Sequence, residues 1–555
     1  MEVTAPRLDC SVIKNRLKKR YIWWNGWVFA AVLLLLVVCT PVFTLLTHLV
    51  SSPGTHWDQV GPKILDSYLK DTLILLVGVA FFTFLLGTSS AWLVSSYEFP
   101  GRKYLEWLLI LPMAFPSYMM AYSYIGILEY TGPVHSFLRN SLGWEITGPL
   151  IDLMNLPGGI FIFSITLFPY VYLFARTSFV SSSREIQDAA ALLGASPVRT
   201  FFSVALPMAR PALAGGIALA SMEVLNDYGT VKYFGLNTFT TGIFRAWLTL
   251  GDLDSAIKLA AILTTLVLAL LWMEYYQRGN KRWSSKSGRT VPPHRICPSK
   301  PVQWVFTGVC LLIVLLGFLF PFSQLVYWAI KTAHKVIDAS FGMIVVKSFS
   351  LAAGSSVLIV FMAIVLLYAV RVSGMHGMRY VTRIASLGYA IPGAVIAVGI
   401  MAPVIGFDKW LLRVAPLDGK LLLSSGLFML LFAYLVRFMA VGYNAIDTGF
   451  QKAGKDINDA SRMLGFNTWH TLWKVDLPLI RKSIAAALLS VFVDVIKELP
   501  LTLILRPFNF HTLATKAFDM ATNEQIAESA NASLIVILTG ILPVVLLNRI
   551  IRKSH

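Results

Sequence analysis

DAAALLGASPVRTFFSVALP occupies residues 188–207, and DASRMLGFNTWHTLWKVDLP occupies residues 459–478. Aligned on Gly194 and Gly465, both read Asp, two small residues, a glycine and then a Leu-Pro pair at the same spacing. The register continues at a constant offset: Arg210 meets Arg481, Glu223 meets Asp494, Asp227 meets Glu498, and the Phe-Thr-Thr at Phe239 meets the Phe-His-Thr at Phe510. The chain is therefore written as two copies of one unit.

Composition says what kind of unit. With 555 residues, 56% hydrophobic and 14% charged, the chain is excluded from the ordinary soluble enzymes. About twelve apolar stretches of roughly 20 residues begin near Trp27, Thr72, Tyr104, Gly158, Ala209, Ser255, Trp304, Phe341, Ser386, Leu421, Ser483 and Ser533. The basic string KNRLKKR precedes Trp27–Leu49, an apolar run too long for a signal-peptide core and without a small-residue cleavage site. It reads as a retained first span. Alternating twelve spans across a bilayer places most of the Lys and Arg on one side, which makes that side the cytosol and puts both termini there. The net charge of +18 is thus a topological signal and implies no nucleic acid.

The fold class expected is an all-α polytopic membrane protein with two parallel six-helix repeats, since an even number of spans per copy keeps both copies in one orientation. Residues 1–26 form a cytosolic basic N-terminus, 27–276 the first half and 303–555 the second. The polar stretch 277–302 is a cytosolic linker. Both repeated loops, 185–207 and 456–478, fall in the cytosol.

Asp188 to Leu193 and Asp459 to Leu464 read as short helices opened by an acidic residue, which suits the positive end of the helix dipole. Gly194 and Gly465 permit a left-handed reversal. Ala189, Ala190, Ala460 and Ser461 are small enough to let that helix lie in a partner's groove. Leu206-Pro207 and Leu477-Pro478 are expected to open the next span, where a missing N–H costs nothing. Arg199, Arg210, Lys474, Arg481 and Lys482 can sit at lipid head groups.

Ionisable groups within spans are costly and point to function. Glu223 and Asp227 are four apart, as are Asp494 and Glu498, a spacing that places each pair on one helix face. Lys497 stands beside them. The pairs are candidates for a translocation pathway or gate, and carboxylates suit a hard, highly charged cation. The competing reading is ion pairing that locks helices together.

Other chemistry is missing from the sequence. The nine histidines make no HExxH spacing, the four cysteines sit where structural disulfides do not form, and no GxxxxGK[ST] loop occurs. No cofactor is expected in this chain, and any ATP would be bound, as ATP-Mg, by another polypeptide.

Asp188-Ala189-Ala190, Gly194, Val204 and Leu206-Pro207, with Asp459-Ala460-Ser461, Gly465, Val475 and Leu477-Pro478, resemble the EAA loop of ABC importer permeases. Both copies carry Asp where that family writes Glu, and the second has Ser461 for Ala. The resemblance implies the type I importer permease fold, and a coupling helix seated on an ABC ATPase, one ATPase copy per loop. SMEVLNDYGTVKYFGLNTFTTGIFRAW and VDVIKELPLTLILRPFNFHTLA are similar to the ferric-iron branch of these importers. That branch implies a bacterial inner membrane, delivery by a periplasmic ferric-iron-binding protein, and transient Fe3+ contacts for Glu223, Asp227, Asp494 and Glu498. Related fused permeases resemble thiamine or phosphonate importers. A proton- or sodium-coupled carrier would also use intramembrane carboxylates, but has no need of two ATPase sockets. The segments around Glu129–Asp152 and Asp408–Lys420, with Glu524 and Glu528, mix charges suited to docking on the outer side.

Overall fold

A computed structural model of the chain describes residues 26–50, 54, 57–60, 65–143, 151–181, 192–278, 295–373, 377–378, 382, 385–414, 423–424, 426–454 and 456–553. The described residues are almost entirely helical. A bilayer core offers no water to unpaired amides, so helices that satisfy their own backbone are the economical way across.

Ten helices are long and apolar enough to span, and the pair Arg102–Ala114 and Ser117–Leu142, bent by 96°, makes an eleventh if taken as one span. The expected twelfth, near Ser483, is the 21-residue helix Leu477–Lys497. It has the length, but it carries Arg481, Lys482, Asp494 and Lys497, so it is less apolar than its neighbours. The span expected from Ser386 starts later: residues Ala385–Ala390 form a 3-10 turn and the helix runs Gly393–Val414.

Contacts divide the chain into two units. One comprises Met1–Thr44, Ser350–Ala390 and Gly399–Val495; the other comprises Leu45–Phe349, Ile391–Val398 and Ile496–His555. In the larger unit, the helix Leu156–Ser181 is gripped by two glycine-bearing faces. A Cβ on Gly87 would stand 2.7 Å from Val171 Cβ, and one on Gly216 would stand 2.8 Å from Val171 Cα. Lipid tails are as apolar as leucine, so this close backbone approach, and not hydrophobicity, holds such helices together. Nearer the repeated loop, Trp92 packs on Phe179 and Phe201, with ring centroids 5.4 and 5.1 Å away. In the same unit the linker returns at Ile296, which pairs with Tyr97 as an isolated bridge, while Arg295 lies 3.7 Å from Glu98.

In the smaller unit, the span Leu427–Ala453 and the second repeated loop share a core with the start of the first helix. Trp27 meets Tyr368 edge-on at 4.9 Å and stacks on Trp469 at 5.5 Å. Asp408, grouped at the sequence level with docking charges, is 1% exposed. Its carboxylate accepts hydrogen bonds from the Leu423 and Ser424 amides and the Ser424 hydroxyl at 2.6–3.1 Å. Burial under its own loop removes it from any docking surface.

Candidate functional site

Of the first loop, Asp188, Ala189 and Ala190 lie outside the described residues. Gly194 has φ 75, the left-handed conformation its position requires. Leu192, Leu193 and Val198 beside it are 88%, 87% and 65% exposed. The second loop is described nearly throughout. Its helix is Asp456–Met463, three residues earlier at its start than expected, so Asp459 is not the capping residue but lies with Asp456 in the first turn, still at the favourable end of the dipole. Gly465 has φ 89. The Phe466 amide donates to Ser461 O at 3.3 Å and the Gly465 amide to Arg462 O at 3.0 Å, the two bonds of a Schellman stop.

This helix presents two faces. Asp459 and Ala460 are exposed, and Met463 and Leu464 at its end are 90% and 77% exposed. Asn458 and Ser461 point inward: the Asn458 side-chain amide donates to Asp476 Oδ2 at 2.7 Å, and the Ser461 and Thr471 hydroxyls are 3.0 Å apart. Asp476 in turn faces Arg371 at 3.3 Å. Arg371 also donates to the carbonyl oxygens of Phe450 and Gly454, and the Tyr368 hydroxyl donates to Thr468 O. The small residue Ser461 therefore serves packing inside the chain. Ala460 keeps an outward surface.

Past each glycine the copies fold alike. Ser196 Oγ accepts from the Arg199 amide at 3.3 Å, and Asn467 Oδ1 from the His470 amide at 2.7 Å. Leu206-Pro207 and Leu477-Pro478 do not open the spans, which begin at these caps. A π-turn, Phe201–Ala205 or Leu472–Asp476, precedes each Leu-Pro, with the Leu206 amide bonded to Phe201 O and the Leu477 amide to Leu472 O. The wider turn lets a proline enter a continuing helix despite its missing donor.

A second site lies in the larger unit, where four interruptions of helices meet. The helix Leu206–Asn226 stops before Asp227, which is extended at φ −71, ψ 130. Leu477–Lys497 stops before Glu498. The expected shared face of Glu223 with Asp227, and of Asp494 with Glu498, is thus not formed, because the second carboxylate of each pair is past the helix end. Each caps the short helix that follows: the Thr230 amide donates to Asp227 Oδ1 at 2.7 Å, and the Leu501 amide to Glu498 Oε1 at 3.2 Å. Glu223 and Asp494 sit a turn earlier inside their helices, half-buried.

The third interruption precedes Gly393, whose amide donates to Asn226 Oδ1 at 2.7 Å. A Cβ there would stand 2.6 Å from Glu498 Oε1, so only glycine allows this approach. The fourth is the bend near Pro116. Lys497 Nζ donates to the Met113 carbonyl there at 3.3 Å, and Tyr118 beyond the bend packs where a Cβ on Gly229 would stand 2.6 Å from its own Cβ. Broken helices with polar groups at the breaks are where membrane transporters place their pathways. Among the described residues no three His, Cys, Asp or Glu converge to hold a metal ion.

The repeat register also shifts beyond this node. Thr238 and Thr512 each open a short helix with a capping box, to Thr241 and to Thr515. The constant offset would instead pair Thr238 with Asn509, which has φ 60 and belongs to an extra turn of the second copy. In both copies a hydroxyl from a long helix receives the next amide: Phe239 N to Thr72 Oγ1 at 3.4 Å, and Leu513 N to Ser348 Oγ at 2.8 Å.

Arg371, Asp476, Tyr118 and Gly393 escaped the sequence reading. Asp476 was legible as a departure from the repeat, since its counterpart is Ala205. The prolines at 112 and 116, and Pro392 before Gly393, signal interruptions inside apolar runs.

Comparison with known proteins agrees with this duplicated design. The family described as binding-protein-dependent transport system inner membrane component matches residues 83–284 and again 376–554. Over 485 residues the chain is 24% identical to the Fe(3+)-transport system permease protein FbpB 2 of Haemophilus influenzae, covering 87% of this chain and 89% of that one. It is 27% identical over 204 residues to the sulfate transport system permease protein CysT of Salmonella typhimurium, covering 36% and 71%. To the molybdate/tungstate transport system permease protein WtpB of Methanocaldococcus jannaschii it is 25% identical over 254 residues, covering 45% and 97%. With both halves matched, the chain belongs to the binding-protein-dependent transport system inner membrane component family.

Proposed function

We propose that this chain forms the membrane pathway for ferric iron in an ATP-driven importer of the bacterial inner membrane, with both termini cytosolic. A periplasmic ferric-iron-binding protein delivers the cargo. Two copies of an ABC ATPase hold the ATP-Mg and dock one on each repeated loop, and this chain supplies no ATP site or cofactor of its own.

The exposed apolar ends of the loops, Leu192 with Leu193 and Met463 with Leu464, support the docking. Apolar residues clustered in this way on a cytosolic surface mark a partner's seat. In this reading Asp188, Ala189, Ala190, Gly194, Leu206 and Pro207 carry the first coupling loop. Asp459, Ala460, Ser461, Gly465, Leu477 and Pro478 carry the second. Closure of the ATPases moves both loops and selects between two arrangements of the bundle.

The observation that carries the cargo is the repeat-equivalent pair Asp227 and Glu498, each at a helix break. Two carboxylates repel a sulfate or molybdate ion and attract a hard cation, which favours the likeness to the Fe(3+) permease over the likenesses to oxyanion permeases. Glu223, Asp494 and Lys497 complete the pathway or gate. The test is uptake of radiolabelled iron(III) into vesicles holding the chain with its ATPase and binding protein. ATP-dependent uptake of iron is expected; uptake of sulfate or molybdate in its place overturns the cargo.

A further inference from the structure

Past its helix break, the second copy of the repeat carries a turn that the first copy lacks. The short helix Pro500–Leu505 ends at Arg506, and the chain reverses through Pro507 to Phe510, where the Phe510 amide donates to Pro507 O at 3.1 Å. Asn509, third in the turn, has φ 60, a left-handed conformation that asparagine tolerates. Phe508 at the tip is 95% exposed.

Side chains close the base of this turn. Arg506 Nη1 lies 2.8 Å from His511 Nδ1 and 3.1 Å from Asp519 Oδ2, and His511 Nδ1 lies 3.3 Å from the same carboxylate oxygen. A guanidinium can only donate. Facing it at 2.8 Å, Nδ1 must accept, so the arrangement requires a neutral His511 with its proton on Nε2. Arg506, at the start of the turn, then holds both His511 at its end and Asp519 on the helix Leu513–Thr522. A proton on Nδ1 reverses the pattern: two cationic donors oppose each other, and Asp519 Oδ2 becomes the acceptor for His511. Aligned on the capping boxes at Thr238 and Thr512, His511 and Asp519 stand opposite Asn237 and Arg245, so the first copy has neither the histidine nor the carboxylate.

We propose that Arg506, His511 and Asp519 form a proton-operated latch: with His511 neutral it closes the turn that carries Phe508, and protonation of Nδ1 moves His511 from Arg506 to Asp519 and frees the turn. Two further cations stand nearby, Lys516 on the helix Leu513–Thr522, and Lys347 on the helix Ala339–Ser373, whose Nζ lies 5.9 Å from the centre of the Phe510 ring. Partial burial, then the charge of Arg506 and that of Lys516, hold the His511 pKa below its usual value against the pull of Asp519. A depressed value in the closed turn means that closure is fully favoured above the open-state pKa and is lost as pH falls through the closed-state one. Acid therefore opens the latch. The His511 and Asp519 side chains are 38% and 30% exposed, so protons reach them from solvent. In the topology proposed above, the turn lies on the outer side, and the latch makes that surface sensitive to external acid.

The test reads the turn in the full chain purified in detergent, where both sides are open to the medium and the result does not depend on the topology. With the four native cysteines replaced by serine, a nitroxide on Phe508→Cys reports local motion by electron paramagnetic resonance between about pH 7.5 and pH 5. Slow motion is expected at neutral pH, becoming about twofold faster or more in acid and slowing again on return. His511→Gln, which accepts from Arg506 without titrating, is expected to stay slow at both ends of the range, and Arg506→Ala to be fast at both. A label whose motion ignores pH overturns the latch, as does the same acid transition in His511→Gln or slow motion in Arg506→Ala at neutral pH.

Discussion

Arg371 and Asp476 face each other at 3.3 Å with side chains 6% and 1% exposed, and through them the second repeated loop is bolted to the end of the helix Ala339–Ser373. Asp476 is held further by Asn458 of the loop helix at 2.7 Å. Removing one partner leaves a buried charge uncompensated, so Asp476→Ala is expected to cost about 3–5 kcal/mol. Thermal unfolding of the detergent-purified chain reads the loss, and Asp476→Leu with Arg371→Met should recover much of it. The first loop carries Ala205 at the equivalent position and so lacks this carboxylate.

Gly194 and Gly465 hold left-handed turns with φ 75 and 89, and neither has a neighbouring atom that a Cβ would strike. Alanine at either position therefore meets only backbone strain, roughly 1–2 kcal/mol. That is enough to turn the short helix relative to the span it precedes. Reduced ATP-driven uptake with normal membrane insertion is expected for each, and Gly194→Pro with Gly465→Pro should abolish uptake. Normal uptake in the double proline variant would show that the loops do not couple.

Gly393 is a steric prediction. Its Cβ would lie 2.6 Å from Glu498 Oε1 and 3.3 Å from Asn226 Oδ1, so Gly393→Ala must push the node apart. Asn226→Ala, by contrast, strips the Gly393 amide of its acceptor at a cost of about 1–3 kcal/mol. Both should depress cargo uptake while leaving ATPase binding to the chain, measured by co-purification, intact.

Asp338 gives the pH dependence. The Phe341 amide at 2.7 Å and the Ser340 hydroxyl at 2.7 Å donate to its carboxylate, and these bonds hold its pKa below the usual carboxylate range. A depressed carboxyl contributes stability that is full above the unfolded-state value and is lost as pH falls through the folded one. Asp338→Asn should thus melt earlier than wild type at neutral pH. The difference should close in acid, and a gap independent of pH would contradict this account.

Much of the candidate coupling site was legible because its signals are local. A glycine read as a left-handed turn at Gly465 does adopt φ 89, since only its own backbone sterics decide it. Pro478 misled for the same reason: the rule that proline opens helices is local, whereas the π-turn at Leu472–Asp476 lets the helix run through it. The face expected for Glu223 with Asp227, and for Asp494 with Glu498, failed because spacing describes a helix only while the helix lasts. Each copy of the repeat breaks at its second carboxylate and reuses it as a cap.

By itself the sequence determined the membrane class, the duplication and the turn at each repeated glycine. Those follow from apolar run length, from self-similarity and from single-residue sterics, none of which needs a distant neighbour. The tertiary structure alone decided that Asn226 meets Gly393, that Arg371 meets Asp476, and that Tyr118 packs against Gly229. In lipid every apolar helix surface is equally content, so only close backbone approach and buried hydrogen bonds choose the partners. Those choices join residues far apart in the chain, where periodicity carries no information.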